Sequence, residues 1–83
     1  MTGIYKITSP TGKIYIGQSI YIEKRWIRYK NLNCKEQPKI YNSLKKHGAE
    51  NHIFEVVIKC SDDELNSLEK YYVDIYGSFN SKN

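Results

Sequence analysis

An α+β fold with elements in the order β-β-α-α-β-α is predicted by three observations on this 83-residue chain. Two short runs rich in Ile and Tyr flank a turn segment near the start. Three stretches, over residues 21–32, 38–47 and 62–76, carry apolar residues at helical spacing. One dense apolar run, IFEVVIK at 53–59, separates the last two of them. A chain this short forms one domain, residues 1–83, with a modest core in which each large side chain counts.

The opening segment GIYKITSPTGKIYIG reads as a hairpin of strands 3–7 and 13–17. Pro10 fixes its own φ and Gly12 permits a positive one, so Ser9-Pro10-Thr11-Gly12 supplies the turn. Helix 21–32 follows, with Tyr21, Ile22, Trp26, Tyr29 and Leu32 on one face. Pro38 suits the first position of a second helix, and Gly48 suits its stop. The apolar density of 53–59 places the third strand in a central or well-covered position. Ser61 or Asp62 caps the last helix, whose inward stripe is Leu65, Leu68, Tyr72, Ile75 and Tyr76.

Composition narrows the function. No run is long and apolar enough to span a bilayer and no signal-peptide pattern opens the chain, so a soluble, cytoplasmic protein is expected. Cys34, in a loop, and Cys60, in a strand, lack zinc spacing and read as reduced thiols. His47 fits a structural role at a helix end, and His52 reads as exposed at a strand entry. Between residues 23 and 48, eight Lys or Arg face only Glu23 and Glu36, whereas 55–74 holds six acids against Lys59 and Lys70. The basic half suits a polyanion such as nucleic acid, with Lys24, Arg28, Lys35, Lys45 and Lys46 as candidate contacts; solvated lysine-rich helix faces are the alternative.

Two charges fall where packing faces are expected. At 100° per residue, Glu69 lies about 60° from the centre of the last helix's stripe, and Arg25 about 40° from that of the first. They either pair as a half-buried salt bridge or line one cleft, the carboxylate toward a metal and the guanidinium toward phosphate. If Tyr5 faces Tyr15 across the hairpin, residues 5, 13, 15 and 17 share one sheet face and Ile4, Ile14 and Ile16 the other. An aromatic pair that only stabilises the hairpin is the alternative for these tyrosines.

Taken together, the residues resemble the GIY-YIG nuclease domain family. Gly3-Ile4-Tyr5 and Tyr15-Ile16-Gly17 match its naming triplets, and the likeness continues through EKRW (23–26), KKHG (45–48) and LEKYYVDIYGSFN (68–80). EKRW and KKHG look nearest to the homing-endonuclease branch. The resemblance implies a three-stranded antiparallel sheet flanked by helices, and metal-dependent hydrolysis of DNA phosphodiester bonds. Matched position by position, Glu69 is the metal-binding glutamate, and Tyr5, Tyr15 and Arg25 are catalytic. Asn80 is the asparagine that ends the pattern, and Gly3 and Gly17 are the motif glycines.

Tyr29 stands where many homing-type members have histidine, and it is a far poorer proton acceptor near neutral pH. Lys35 is the closest counterpart of a second histidine that some members carry before the second helix. A single inward glutamate implies one divalent ion, Mg²⁺ or Mn²⁺, rather than two. Tyr5 would act as general base, Tyr15 would position water or phosphate, and Arg25 would hold a non-bridging oxygen. A catalytically silent nucleic-acid-binding module and a partner-binding module are the competing functions. No zinc finger or helix-turn-helix accompanies the domain, so specificity is low or comes from a partner or a further region.

Overall fold

A computed structural model describes residues 1–76. Strands β1 (Gly3–Thr8), β2 (Ile14–Ser19) and β3 (Ile53–Lys59) form the sheet, with helices α1 (Ile22–Lys30), α2 (Pro38–His47) and α3 (Leu65–Tyr76) around it. All strand pairs are antiparallel, in the spatial order β2-β1-β3. The α+β class and element order thus agree with the sequence reading. Two 3₁₀ turns, Ala49–Asn51 and Asp62–Glu64, were not anticipated.

The hairpin turn is held by Ser9. Its amide donates to Lys13 O at 2.8 Å, and its hydroxyl accepts from Lys13 N at 3.1 Å. Gly12, at φ +90°, completes the reversal. This clasp closes the ladder with Thr8 opposite Ile14, so Tyr5 faces Gly17 and Ile7 faces Tyr15. The expected Tyr5–Tyr15 pairing is therefore displaced by two residues. An even displacement keeps every side chain on its face. Tyr5, Ile7 and Tyr15 pack with Ile22, Tyr29, Cys34, Ile40 and Leu44 under α1 and α2. Ile4 and Ile16 pack with Leu65 under α3, with Ile14, Leu68, Tyr72 and Val73 around them.

Two other expectations change. The central strand is β1, whereas β3 lies at an edge and has no fully buried residue. Its apolar residues divide between two thin contacts, Phe54 against Trp26 and Val57 and Ile58 beneath α3. A register shift between Ile4 and Tyr5 leaves Val57 as the extra residue, and Glu55 pairs with Lys6 at 3.4 Å. In α3, Ile75 is 55% exposed and Tyr76 36% exposed, and Val73 joins the inward stripe instead. Counting from Leu65, Val73 falls at i+8, on the packed stripe, while Ile75 at i+10 turns away.

Helix α1 stops at Lys30, two residues early. Leu32 takes a left-handed backbone (φ 59°) while its N–H donates to Tyr29 O and that of Asn33 to Arg28 O. These bonds make a Schellman stop, with leucine where glycine is usual. Tyr21 is 56% exposed and precedes the helix, so it leaves the expected stripe. Pro38 and Gly48 bound α2 as expected, and Ser61 with Glu64 forms a capping box before α3.

His52 is buried rather than exposed. Its ring bridges Ser43 Oγ (2.9 Å) and Gly48 O (2.8 Å), tying the end of α2 to the entry of β3. Because a carbonyl can only accept, Nδ1 carries a proton. Both cysteines are free thiols; Cys60 lies just past the end of β3. Among the described residues no helix is long and apolar enough to cross a membrane.

Candidate active site at the edge of the second strand

The two motif glycines stand where neighbouring groups come too close for a side chain. A Cβ on Gly3 would meet Ile58 O at 2.2 Å, beside the bulge between β1 and β3. A Cβ on Gly17 would meet Tyr5 Cζ and Oη at 2.4 Å. The Tyr5 ring therefore lies across its cross-strand partner, with its hydroxyl over β2. The second triplet's glycine is the space the first triplet's tyrosine occupies.

Three tyrosine hydroxyls and one amide meet beneath α1. Tyr5 Oη lies 2.5 Å from Tyr29 Oη, and Tyr29 donates to Gln37 Oε1 at 3.0 Å. Tyr15 donates to the same Gln37 oxygen, and Tyr29 and Tyr15 lie 3.4 Å apart. The Tyr15 and Tyr29 rings meet edge to face at 6.0 Å, and Trp26 stands edge-on to Tyr5 at 6.3 Å. Among the described residues, Trp26 Nε1 is buried without a hydrogen-bond partner. Burial pushes the phenol pKa of Tyr5, Tyr15 and Tyr29 well above its ordinary value, chiefly because a phenolate loses solvation there. All three are neutral phenols near pH 7.

Arg25 and Glu69 act on this cluster with opposite signs. The guanidinium favours the phenolate of Tyr5, Tyr15 and Tyr29, and the carboxylate opposes it at Tyr5 and Tyr15. Both side chains are half-buried. No ion pair joins them, and among the described residues neither makes one elsewhere. The salt-bridge alternative is thus not formed. Glu69 is held by Gln18, whose Nε2 donates to Glu69 Oε1 at 2.6 Å and to Asn66 Oδ1 at 2.9 Å.

Because β2 is an edge strand, α1 above one sheet face and α3 above the other both reach its rim. From there Arg25 on α1 and Glu69 on α3 both act electrostatically on Tyr5 and Tyr15. No group of three or more His, Cys, Asp or Glu gathers among the described residues. A single half-buried carboxylate, fixed through one oxygen by an amide, suits a hard cation that keeps most of its ligands as water and phosphate oxygen.

The candidate DNA contacts are scattered. Lys24 lies over the Tyr21 ring at 5.0 Å and Lys45 over Tyr41 at 5.9 Å, and Lys35 and Lys46 are exposed. Arg28 pairs with Glu36 at 2.8 Å and donates to Asn33 O, holding the loop between α1 and α2. Asn80 lies outside the described residues. Two participants were missed from sequence. Gln18 could have been found, since strand parity sends it toward α3. Gln37 sits in an aperiodic loop and gave no such signal; its side chain, rather than that of Lys35, enters the tyrosine cluster.

Residues 1–83 match the family described as the GIY-YIG catalytic domain. Among solved structures, the catalytic domain of the homing endonuclease I-TevI is similar, with a TM-score of 0.78 and 27% sequence identity. The likeness covers 95% of this chain and 91% of that one. No curated protein sequence matches.

Proposed function

We propose a mechanism from this premise: the chain belongs to the GIY-YIG catalytic domain family and is an endonuclease. Its substrate is DNA, and it hydrolyses phosphodiester bonds with one divalent cation, Mg²⁺ or Mn²⁺. The observation that carries this reading is that Arg25 and Glu69 both act electrostatically on the Tyr5 and Tyr15 hydroxyls while forming no ion pair with each other. An inert fold would gain by neutralising or removing such half-buried charges.

Glu69 would hold the ion, with water and phosphate oxygens as its other ligands. An ion bound there supplies charge stabilisation for the leaving oxygen. Arg25 grips a non-bridging phosphate oxygen and opposes the negative charge added by the incoming nucleophile. Tyr5, in its phenolate form, accepts the proton of the attacking water. Burial opposes that ionisation and Arg25 favours it, so the active form is a minority species near neutral pH. Tyr15 positions the water or the phosphate, Tyr29 shares a hydrogen bond with Tyr5, and Asn80 orients a water or phosphate from beyond the described residues.

Lys24, Lys35, Lys45 and Lys46 contribute non-specific attraction to the backbone, with Arg28 partly neutralised by Glu36. Sequence specificity belongs to a DNA-binding domain or partner protein. The free thiols suit a reducing, cytoplasmic setting.

Plasmid nicking with Mg²⁺, wild type beside Glu69→Ala, tests the reading. Cleavage by the wild type and none by the variant supports it. Equal activity in both places the chemistry elsewhere. DNA binding without cleavage in either favours a silent binding module.

A further inference from the structure

Glu69 is not held in isolation. Gln18 Nε2 donates to Glu69 Oε1 at 2.6 Å and to Asn66 Oδ1 at 2.9 Å, so one nitrogen joins the carboxylate to an amide one turn earlier on α3. That nitrogen carries two protons, and both are committed.

Charge then fixes the orientation of both amides. An ionised carboxylate only accepts, so Gln18 turns its NH₂ group toward Glu69; the reversed amide would set an oxygen against a carboxylate oxygen. With donors facing it, Asn66 answers with its carbonyl oxygen. Asn66 Nδ2 therefore points away from Gln18, and among the described residues it makes no hydrogen bond. Asn66 is exposed, whereas Glu69 is half-buried. The order is inherited in steps: Glu69 sets Gln18, and Gln18 sets Asn66. It leaves a pair of N–H donors at the surface beside the carboxylate.

A neutral amide suits this place better than a cation. A lysine at position 66 would stand one turn from Glu69 and pair with it, in competition with the metal ion. The amide can donate to an anionic oxygen without that competition, and phosphate oxygens of nucleic acid are common partners of asparagine. Side chains three residues apart on a helix have Cβ atoms about 5–6 Å apart, a step comparable to that between successive phosphates on one strand.

We propose that Asn66 is a substrate-binding residue whose amide donates to the phosphate adjacent to the scissile one on the same strand. This rests on the nuclease reading above, with Glu69 as the metal ligand.

Asn66→Ala tests the contact. The position is exposed on a helix, where alanine is favoured, so the variant folds. In cleavage of a defined duplex it is expected to raise KM roughly fivefold or more. Its kcat and the Mg²⁺ concentration for half-maximal cleavage are expected to change by less than about twofold. An unchanged KM overturns the proposal. So does an effect confined to the Mg²⁺ requirement, which marks Asn66 as a brace for Gln18 and Glu69.

Neutral methylphosphonates, placed one at a time around the cleavage point, provide the second arm. At the phosphate next to the scissile one, the substitution is expected to weaken wild-type binding about fivefold or more and Asn66→Ala binding by less than about twofold. Equal losses in both proteins at every position overturn the proposal. Fluorescence anisotropy in the absence of metal reads the same comparison without cleavage. If that comparison comes out as expected but the wild type does not cleave with Mg²⁺, the nuclease reading fails while the phosphate contact stands.

Discussion

Gly17→Ala is the smallest change that tests the construction of the site. The added Cβ would lie 2.4 Å from Tyr5 Cζ and Oη and 2.7 Å from Cε1. Carbon atoms in ordinary contact stand about 3.5–4.0 Å apart, so the ring must retreat by about 1 Å or more. It cannot retreat freely, because Trp26 stands edge-on to it and the cluster around it is buried. Overpacking of this kind costs about 1–3 kcal/mol of stability.

The displacement falls on the Tyr5 hydroxyl, and a shift of about 1 Å in a catalytic group lowers the rate roughly 100-fold. Urea unfolding and single-turnover cleavage measure the two effects. Gly12→Ala is the control, since nothing lies within 4 Å of its Cβ and only its backbone (φ +90°) is strained. That variant loses stability and keeps its rate. A cycle with Tyr5→Ala isolates the clash: in that background Gly17→Ala becomes nearly neutral to stability, a coupling of about 1 kcal/mol or more. Wild-type cleavage by Gly17→Ala, or equal destabilisation with and without the Tyr5 ring, would refute the reasoning.

Burial raises three phenols above their ordinary value of 10.0, so above that pH the unfolded chain releases protons that the native state retains. Stability is therefore intact below pH 10 and falls above it, by about 4 kcal/mol per pH unit if all three phenols stay protonated. Urea titrations from pH 9 to pH 11 check this, and Tyr29→Phe removes about a third of the slope. Below the Tyr5 pKa, log kcat for cleavage rises with pH at a slope near one, as the phenolate fraction grows; a flat profile removes Tyr5 as the base. Gln18→Ala frees the Glu69 carboxylate and raises the Mg²⁺ concentration for half-maximal cleavage by about 10-fold, with little change in melting temperature. Glu69→Gln abolishes cleavage at any Mg²⁺ or Mn²⁺ concentration and leaves DNA binding intact, as a gel-shift assay beside the cleavage assay would show.

Much of the site was legible because its residues obey short periods. Strand parity placed Tyr5 and Tyr15 on one face, and the helical period set Arg25 and Glu69 beside their packing stripes. Parity holds even though the hairpin register moves by two residues, since a shift by two restores the face. The errors have the opposite character. Apolar density points the strand 53–59 to a central or well-covered position because it records total burial and not which neighbours provide it. His52 reads as exposed from sequence because its partners Ser43 and Gly48 come from another element.

The sequence by itself determined the order of elements, the turn at Ser9–Gly12, the bounds of α2 and the chemical groups able to meet phosphate and metal. Those follow from dihedral preferences and spacing along the chain. Only the tertiary structure decided that Tyr5 lies over Gly17, that Gln37 leaves its helix cap for the tyrosines, and that the phenols stay protonated. Contact, hydrogen-bond direction and solvation depend on neighbours far away in sequence, and no local pattern encodes them.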